Sequence, residues 1–187
     1  MTVPAARRRQ FGFTIIELLL VLVMLGVLAG LAAPSVRDMI TTARLKSHNA
    51  AIQNSLMLAR SEAIKRKVRV VVCKSANQAS CTTAGNWEQG WIVFLDTNDN
   101  ATVDAGEAIV QKVEALSGSF ILKASNNVAD YVSFTSSGAP KVSASDAVQT
   151  GTFTLCQPAG GSARQIDVFA TGRLTFGKEP VSTCTAA

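Results

Sequence analysis

The sequence predicts an α+β fold in which a long N-terminal helix packs on an antiparallel β-sandwich or sheet. Three observations carry this. Phe13 to Ala33 is a run of 21 residues in which Glu17 is the only ionisable side chain. Helical spacing then continues to about Lys67, with Ile52, Leu56, Ala59 and Ala63 recurring at intervals of four, three and four residues. Beyond Lys67 the pattern changes to short β-type runs separated by Gly, Asn, Ser and Pro clusters.

The N-terminus sets the first boundary. An ordinary signal peptide places its small-residue cleavage site after a core of about 7 to 15 apolar residues. Here the order is reversed: Arg7-Arg8-Arg9 leads into Gly12-Phe13-Thr14-Ile15-Ile16-Glu17, and the apolar run comes afterwards. At 1.5 Å per residue the run reaches about 31 Å, close to the hydrocarbon thickness of a bilayer, so it is expected to cross a membrane. Arg37, Arg44 and Lys46 on the far side balance the three leader arginines, and positive charge alone does not orient the span. The cysteines do. Disulfides need an oxidising compartment, which places the C-terminal part in the periplasm and the leader in the cytoplasm, across an inner membrane.

A plain anchor does not explain Glu17, because an unpaired carboxylate in the apolar layer costs roughly 2 to 3 kcal/mol or more. Cleavage after Gly12 would create its partner, the α-amino group of Phe13, on the same chain or on a neighbour. A pair between chains would favour assembly and fix axial register, since a misaligned carboxylate stays unpaired in low-dielectric surroundings.

The chain thus divides into a leader at 1–12, a transmembrane and filament-core helix at 13–34, an amphipathic helix at 35–67 and a β-rich head at 68–187. Counted from Phe13, the helix is expected to run about 55 residues, roughly 80 Å. In the head the expected strands are Val68 to Lys74, Trp91 to Leu95, Ala108 to Val113, Phe120 to Ala124, Tyr131 to Thr135, Thr152 to Cys156, Gln165 to Phe169 and Arg173 to Phe176. Ser136 to Thr150 reads as the longest loop.

The formal charge of +5 includes the leader arginines, and the chain without them is +2, which removes a global argument for nucleic-acid binding. Residues 37–69 hold eight Lys or Arg against Asp38 and Glu62, whereas the chain from Val70 onward is −3. That asymmetry suits a basic stalk helix beneath a mildly acidic head. Cys73, Cys81, Cys156 and Cys184 all follow the apolar run, and an even count in an exported domain reads as disulfides. Three pairings are open. The sequence-local one, Cys73–Cys81 with Cys156–Cys184, is favoured, and chain entropy puts its two bridges at about 2.5 and 3.6 kcal/mol. Without a Cys-x-x-Cys pair or a second histidine, zinc is not expected. No nucleophile and histidine constellation supports catalysis, so no enzyme is expected.

Gly12 to Leu19 and the apolar run behind it closely resemble the class III leader of type IV pilins and type II secretion pseudopilins. That resemblance implies that a prepilin peptidase cuts between Gly12 and Phe13 and methylates the new Phe13 amine, that Glu17 supports assembly, and that Pro34 bends the helix. Leu58-Ala59-Arg60-Ser61-Glu62-Ala63-Ile64-Lys65-Arg66, Val72-Cys73, Trp87 to Phe94 and Asp96 through Glu107 look like the GspH/FimT family. The resemblance implies a pilin-like fold and a FimU-like minor pilin that helps start pilus assembly at the filament tip. Its implied partners are other minor pilins, the major pilin, the prepilin peptidase, the inner membrane and the assembly machinery. A GspH-like secretion pseudopilin and a pilus-tip DNA receptor are the alternative functions.

Asp96, Asn98, Asn100, Thr102, Asp104 and Glu107 occupy positions 1, 3, 5, 7, 9 and 12 of a twelve-residue loop, the oxygen-ligand spacing of an EF-hand for calcium. Position 6 is Ala101 where Gly is usual, and strands flank the loop instead of helices. A polar hairpin connection explains the same residues without a metal. Thr171-Gly172-Arg173-Leu174-Thr175 resembles the Gly-Arg-x-Arg motif with which DNA-uptake members of the family hold DNA, with Thr175 in place of the second arginine. Arg164 and Lys178 would add charge if the fold brings them close to Arg173. His48 reads as a solvated side chain, and Trp87 and Trp91 as core.

Overall fold

The computed structural model describes residues 12–145, 147–157 and 162–179, with the side chains at 29–35, 126, 178 and 179 left aside. The expected leader therefore lies almost wholly outside the described residues, as does Cys184. Two compact units divide the chain, Met1–Ile40 and Thr41–Ala187.

A single helix, α1 (Ile15–Arg66), runs for 52 residues. Thr14 opens it: its carbonyl accepts the first helical bond, from the Leu18 N–H at 3.1 Å, and its hydroxyl accepts the Glu17 N–H at 3.3 Å, relieving one donor that lacks a helical partner in the first turn. Glu17 in that turn and Lys65 and Arg66 in the last complement the helix dipole. Lys67 then turns left-handed (φ 60°) while its N–H donates to Ala63, and the helix stops. In the first unit every described side chain from Phe13 to Leu28 is exposed.

In the second unit, the expected helix face is fully buried at Ile52, Leu56, Ala59 and Ala63, joined by Leu45 about two turns upstream. Among the described residues eight strands follow, at the eight expected places. β1 (Arg69–Lys74), β2 (Trp91–Asp96), β3 (Ile109–Val113) and β5 (Tyr131–Phe134) form one antiparallel sheet in the order β3-β2-β1-β5. β4 (Ile121–Ala124), β6 (Gly151–Cys156), β7 (Ala163–Val168) and β8 (Leu174–Glu179) form a second, in the order β4-β6-β7-β8. Alternate residues of both sheets meet the helix face in one core, Val70, Val72, Val93 and Val132 from the first sheet and Leu122, Phe153, Leu155 and Ile166 from the second.

β1 is buried along nearly its whole length, which is why it reads as a continuous apolar run instead of an alternating one. Val70 and Val72 face the main core. Val71 and Cys73 face the other way and form a second cluster with Ile92 and Phe94, roofed by Cys81, Ala101 and Val103 from two loops. The Cys73–Cys81 disulfide closes the first of these loops. Cys156 is also disulfide-bonded; its expected partner, Cys184, is outside the described residues.

Two expectations need correction. Phe169 does not extend β7: it opens a turn in which its N–H donates to the Arg173 carbonyl and the Gly172 N–H returns to its own carbonyl, leaving the ring 47% exposed. His48 is not simply solvated, because Nε2 lies 3.0 Å from the Ser117 carbonyl and the ring meets Phe120 edge-on at 4.9 Å. A histidine on a polar stretch gives no sequence sign of a partner 69 residues away.

Candidate functional site

The first half of α1 presents a continuous apolar surface, with Phe13 86% and Ile15 80% exposed. Glu17 is the only charged residue on it, one turn beyond Phe13. Among the described residues no helix is long and apolar enough to cross a membrane. The expected span, 13–33, continues into 29–35, whose side chains lie outside the described set, and so does the side chain of Pro34; the helical backbone itself runs on through position 34.

The motif from Leu58 to Arg66 has a structural reason for each of its stronger features. Ala59 and Ala63 are small because they sit against the core at zero exposure. Glu62 and Arg66 form an ion pair one turn apart, and that guanidinium holds the Glu62 carboxyl below its ordinary value. Arg60 leaves the helix sideways and donates to two loops, from Nε to the Gly138 carbonyl at 3.1 Å and from Nη2 to the Thr171 carbonyl at 3.2 Å. Those loops come so close that a Cβ on Gly172 would lie 2.1 Å from the Gly138 oxygen, and both glycines have positive φ. The two tryptophans are core, as expected, and each indole N–H is satisfied: Trp87 by the Ala129 carbonyl at 2.9 Å, Trp91 by the Ser55 hydroxyl at 2.9 Å.

The Asp96 to Glu107 loop is closed by its own donors. Asp96 is buried and its two oxygens accept the Asn100 and Ala101 N–H groups at 3.1 and 3.0 Å. Burial pushes its carboxyl up, against those bonds. Asp104 Oδ2 accepts both the Asn98 and Asn100 amides, at 2.8 and 2.7 Å, and these hold its carboxyl below the ordinary value. Glu107 accepts from Thr97 and from the Asp104 N–H. Ala101 adopts the positive φ of the sixth position (56°), so the turn forms without glycine. Thr102 is tied to Asn100. Among the described residues no three His, Cys, Asp or Glu side chains are gathered as a metal site. Oxygens of Asp96, Asp104 and Glu107, expected as calcium ligands, are engaged by N–H and hydroxyl groups of the loop itself.

The family described as type II transport protein GspH matches residues 49–172. The chain belongs to the GspH family. The prokaryotic N-terminal methylation motif matches residues 7–33. Among solved structures, the GspH-family chain resembles the type IV minor pilin FimU of Pseudomonas aeruginosa, with a TM-score of 0.54 and 18% identity over 75% of this chain and 92% of that one. It also resembles EpsH, the minor pseudopilin of the Type 2 Secretion System of Vibrio cholerae, with a TM-score of 0.50 and 13% identity over 72% and 97%. At those identities the likeness is one of fold. No curated protein sequence matches. Family and fold together make this a GspH-family protein with a pilin-like fold.

Of the basic residues expected to act together, the GspH-family head brings two to adjacent positions and leaves Arg173 apart. Arg164 of β7 and Lys178 of β8 are register partners. Arg173, exposed in the turn before β8, is five residues from Lys178, roughly 17 Å along an extended strand. Other polar anchors were missed by the sequence reading. Lys74, only 4% exposed, is paired with Asp130 at 2.8 Å and donates to the Thr83 and Gly85 carbonyls. Gln149, at zero exposure in the stretch read as loop, bonds Ser133, Asn127 and Tyr131. Neither has a local signal, since its partners are set by the fold.

Proposed function

We propose that this chain is a minor pilin that helps start type IV pilus assembly at the filament tip. A prepilin peptidase cuts between Gly12 and Phe13 and methylates the new amine, and residues 13–34 pass from the inner membrane into the filament core. The head stays in the periplasm and docks with other minor pilins and the major pilin. The observation that carries this reading is the largely apolar surface from Phe13 to Leu28, wholly exposed in the single chain and with Glu17 as its one ionisable side chain. Such a surface needs lipid or neighbouring helices to cover it. The methylation motif across 7–33 supports the processing step. On the head, Met57 and Phe176 are 47% and 53% exposed beside Leu174, and suit a contact with another subunit. The part is structural, with no catalytic step assigned to any residue.

Intact-mass measurement from cells with and without prepilin peptidase tests this, followed by recovery in sheared surface filaments. Loss of residues 1–12, a methylated Phe13 and presence in the filaments are the expected results. An uncut chain absent from filaments would leave only an anchored β-domain.

A second reading, a secretion pseudopilin, draws on the family's description as a type II transport protein and on the likeness to EpsH. It uses the same surfaces in another machine. Deleting the gene separates the two: loss of surface pili with normal protein secretion supports the first reading, and the reverse supports the second.

A further inference from the structure

Over the outer face of the first sheet lies a cleft of about 480 Å³, within the range of about 300 to 1,000 Å³ found for small-molecule sites. Its walls are two loops held by buried charge. On one side the Cys73–Cys81 bridge and the Lys74 ammonium, which donates to the Thr83 carbonyl, fix Thr82 and Thr83. On the other the buried Asp96 carboxylate holds the backbone of Asn100 and Ala101. Tyr131 of β5 lines the cleft and packs with the Cys73 cluster, and its hydroxyl accepts the Ser143 N–H at 3.1 Å, which fixes the ring.

The lining selects by chemistry. Hydroxyl and amide groups of Thr82, Thr83, Asn100 and Thr102 stand beside an aromatic ring and an apolar disulfide. No lysine or arginine lines the cleft, and the Asp130 carboxylate that does is already paired with the Lys74 ammonium, so an anion would find no free counter-charge. A wholly apolar ligand would strip water from the hydroxyl and amide groups and return nothing. A neutral polyol with one apolar face satisfies both kinds of lining. We propose that this cleft binds a neutral saccharide, its hydroxyls bonded to the threonine hydroxyls and its apolar face against Tyr131. The site lies in the head and stands whichever filament the chain joins.

Saturation-transfer NMR tests it on the full chain in a zwitterionic detergent, which adds no glycoside of its own, with maltose, N-acetylglucosamine and galacturonate as probes. Transfer to ring protons of at least one neutral sugar is expected, with little to galacturonate. Binding should weaken by about tenfold or more in Thr83→Trp and in Thr102→Trp, which fill the cleft from exposed positions on opposite walls. Circular dichroism identical to that of the parent establishes that each variant is folded. Absence of transfer to both neutral sugars overturns the proposal. So does transfer that survives unchanged in both folded variants, or galacturonate binding as strong as that of the neutral sugars.

Discussion

Arg60 shows why the helix needs a guanidinium at that position. It is half-buried, and its Nε and Nη2 reach two carbonyls 78 and 111 residues further along the chain. A charged donor to a carbonyl is worth about 1.5 to 3 kcal/mol, and a lysine has no fork with which to meet both. Arg60→Met should therefore lower unfolding stability by about 2 kcal/mol or more in urea denaturation, with Arg60→Lys recovering only part of it. The loops it clamps make a sharper test. At Gly172 both the positive φ and the 2.1 Å approach to the Gly138 oxygen exclude a Cβ, while at Gly177 a Cβ meets nothing within 4 Å. Gly172→Ala should cost about 2 kcal/mol or more and Gly177→Ala less than about 0.5, measured in the same assay. Equal effects at the two positions would show that the loop contact is not what glycine serves.

Asp104 gives the pH dependence its sign. The Asn98 and Asn100 amides lower its folded pKa below the ordinary 3.8, so the folded state binds fewer protons there than the unfolded one. Its contribution is present above pH 3.8 and is lost as pH falls through the depressed folded value. Asp96 runs the other way, because burial raises its pKa and the penalty on its charged form is relieved as pH falls. Asp104→Asn should flatten the fall of Tm on the acid side of pH 3.8, as followed by thermal melts across that range. A steeper fall in the variant would contradict the assignment.

At the level of strands and loops, all eight β-runs were legible because turn residues punctuate them and because each is long enough for its apolar pattern to show. Helix α1 was legible from end to end, since Ile52, Leu56, Ala59 and Ala63 repeat at helical spacing and are all fully buried. Which strands pair was not. The split into β3-β2-β1-β5 and β4-β6-β7-β8 depends on contacts between distant segments, and so do the bonds of Gln149 and Lys74. The turn at Phe169 was misread because an aromatic ring next to Val168 continues a strand pattern, and only the Gly172 turn three residues further stops it. The Cys73–Cys81 bridge was legible by proximity in sequence. It ties the loop over the second apolar cluster to β1, with a separation of 8 residues, worth up to about 2.5 kcal/mol of chain entropy. Cys73→Ser with Cys81→Ser should lower stability by no more than that and open the 75–86 loop to limited proteolysis, while the helix-facing core stays protected. Cleavage spread evenly over the head would instead make the bridge a support of the whole domain.

At the scale of the whole chain, a β-rich head follows a helix whose described side chains up to Leu28 are all exposed. The functional reading was legible in the first half because it rests on a linear pattern, Gly12 through Glu17 followed by apolar residues, and needs no tertiary contact to be seen. Calcium is not legible in the same way: oxygen spacing is linear, but whether those oxygens converge depends on the fold and on which N–H groups claim them. Glu17 is where the two halves of the argument meet. A carboxylate carried into an apolar layer costs roughly 2 to 3 kcal/mol or more if unpaired, and before cleavage position 13 offers only a peptide nitrogen. After cleavage the Phe13 amine becomes a cation at the same depth, and in a bundle of helices a neighbour's amine can reach a carboxylate only when the axial offset is right. Glu17→Leu removes the desolvation penalty together with the pairing. The variant should therefore enter the membrane and lose residues 1–12 as the parent does, yet be depleted by about tenfold or more from sheared filaments, since about 1.4 kcal/mol of lost pairing already gives that factor. Immunoblots of membrane and filament fractions read both quantities at once. Normal recovery of Glu17→Leu in filaments would mean that the apolar surface alone drives assembly and that Glu17 serves something other than register.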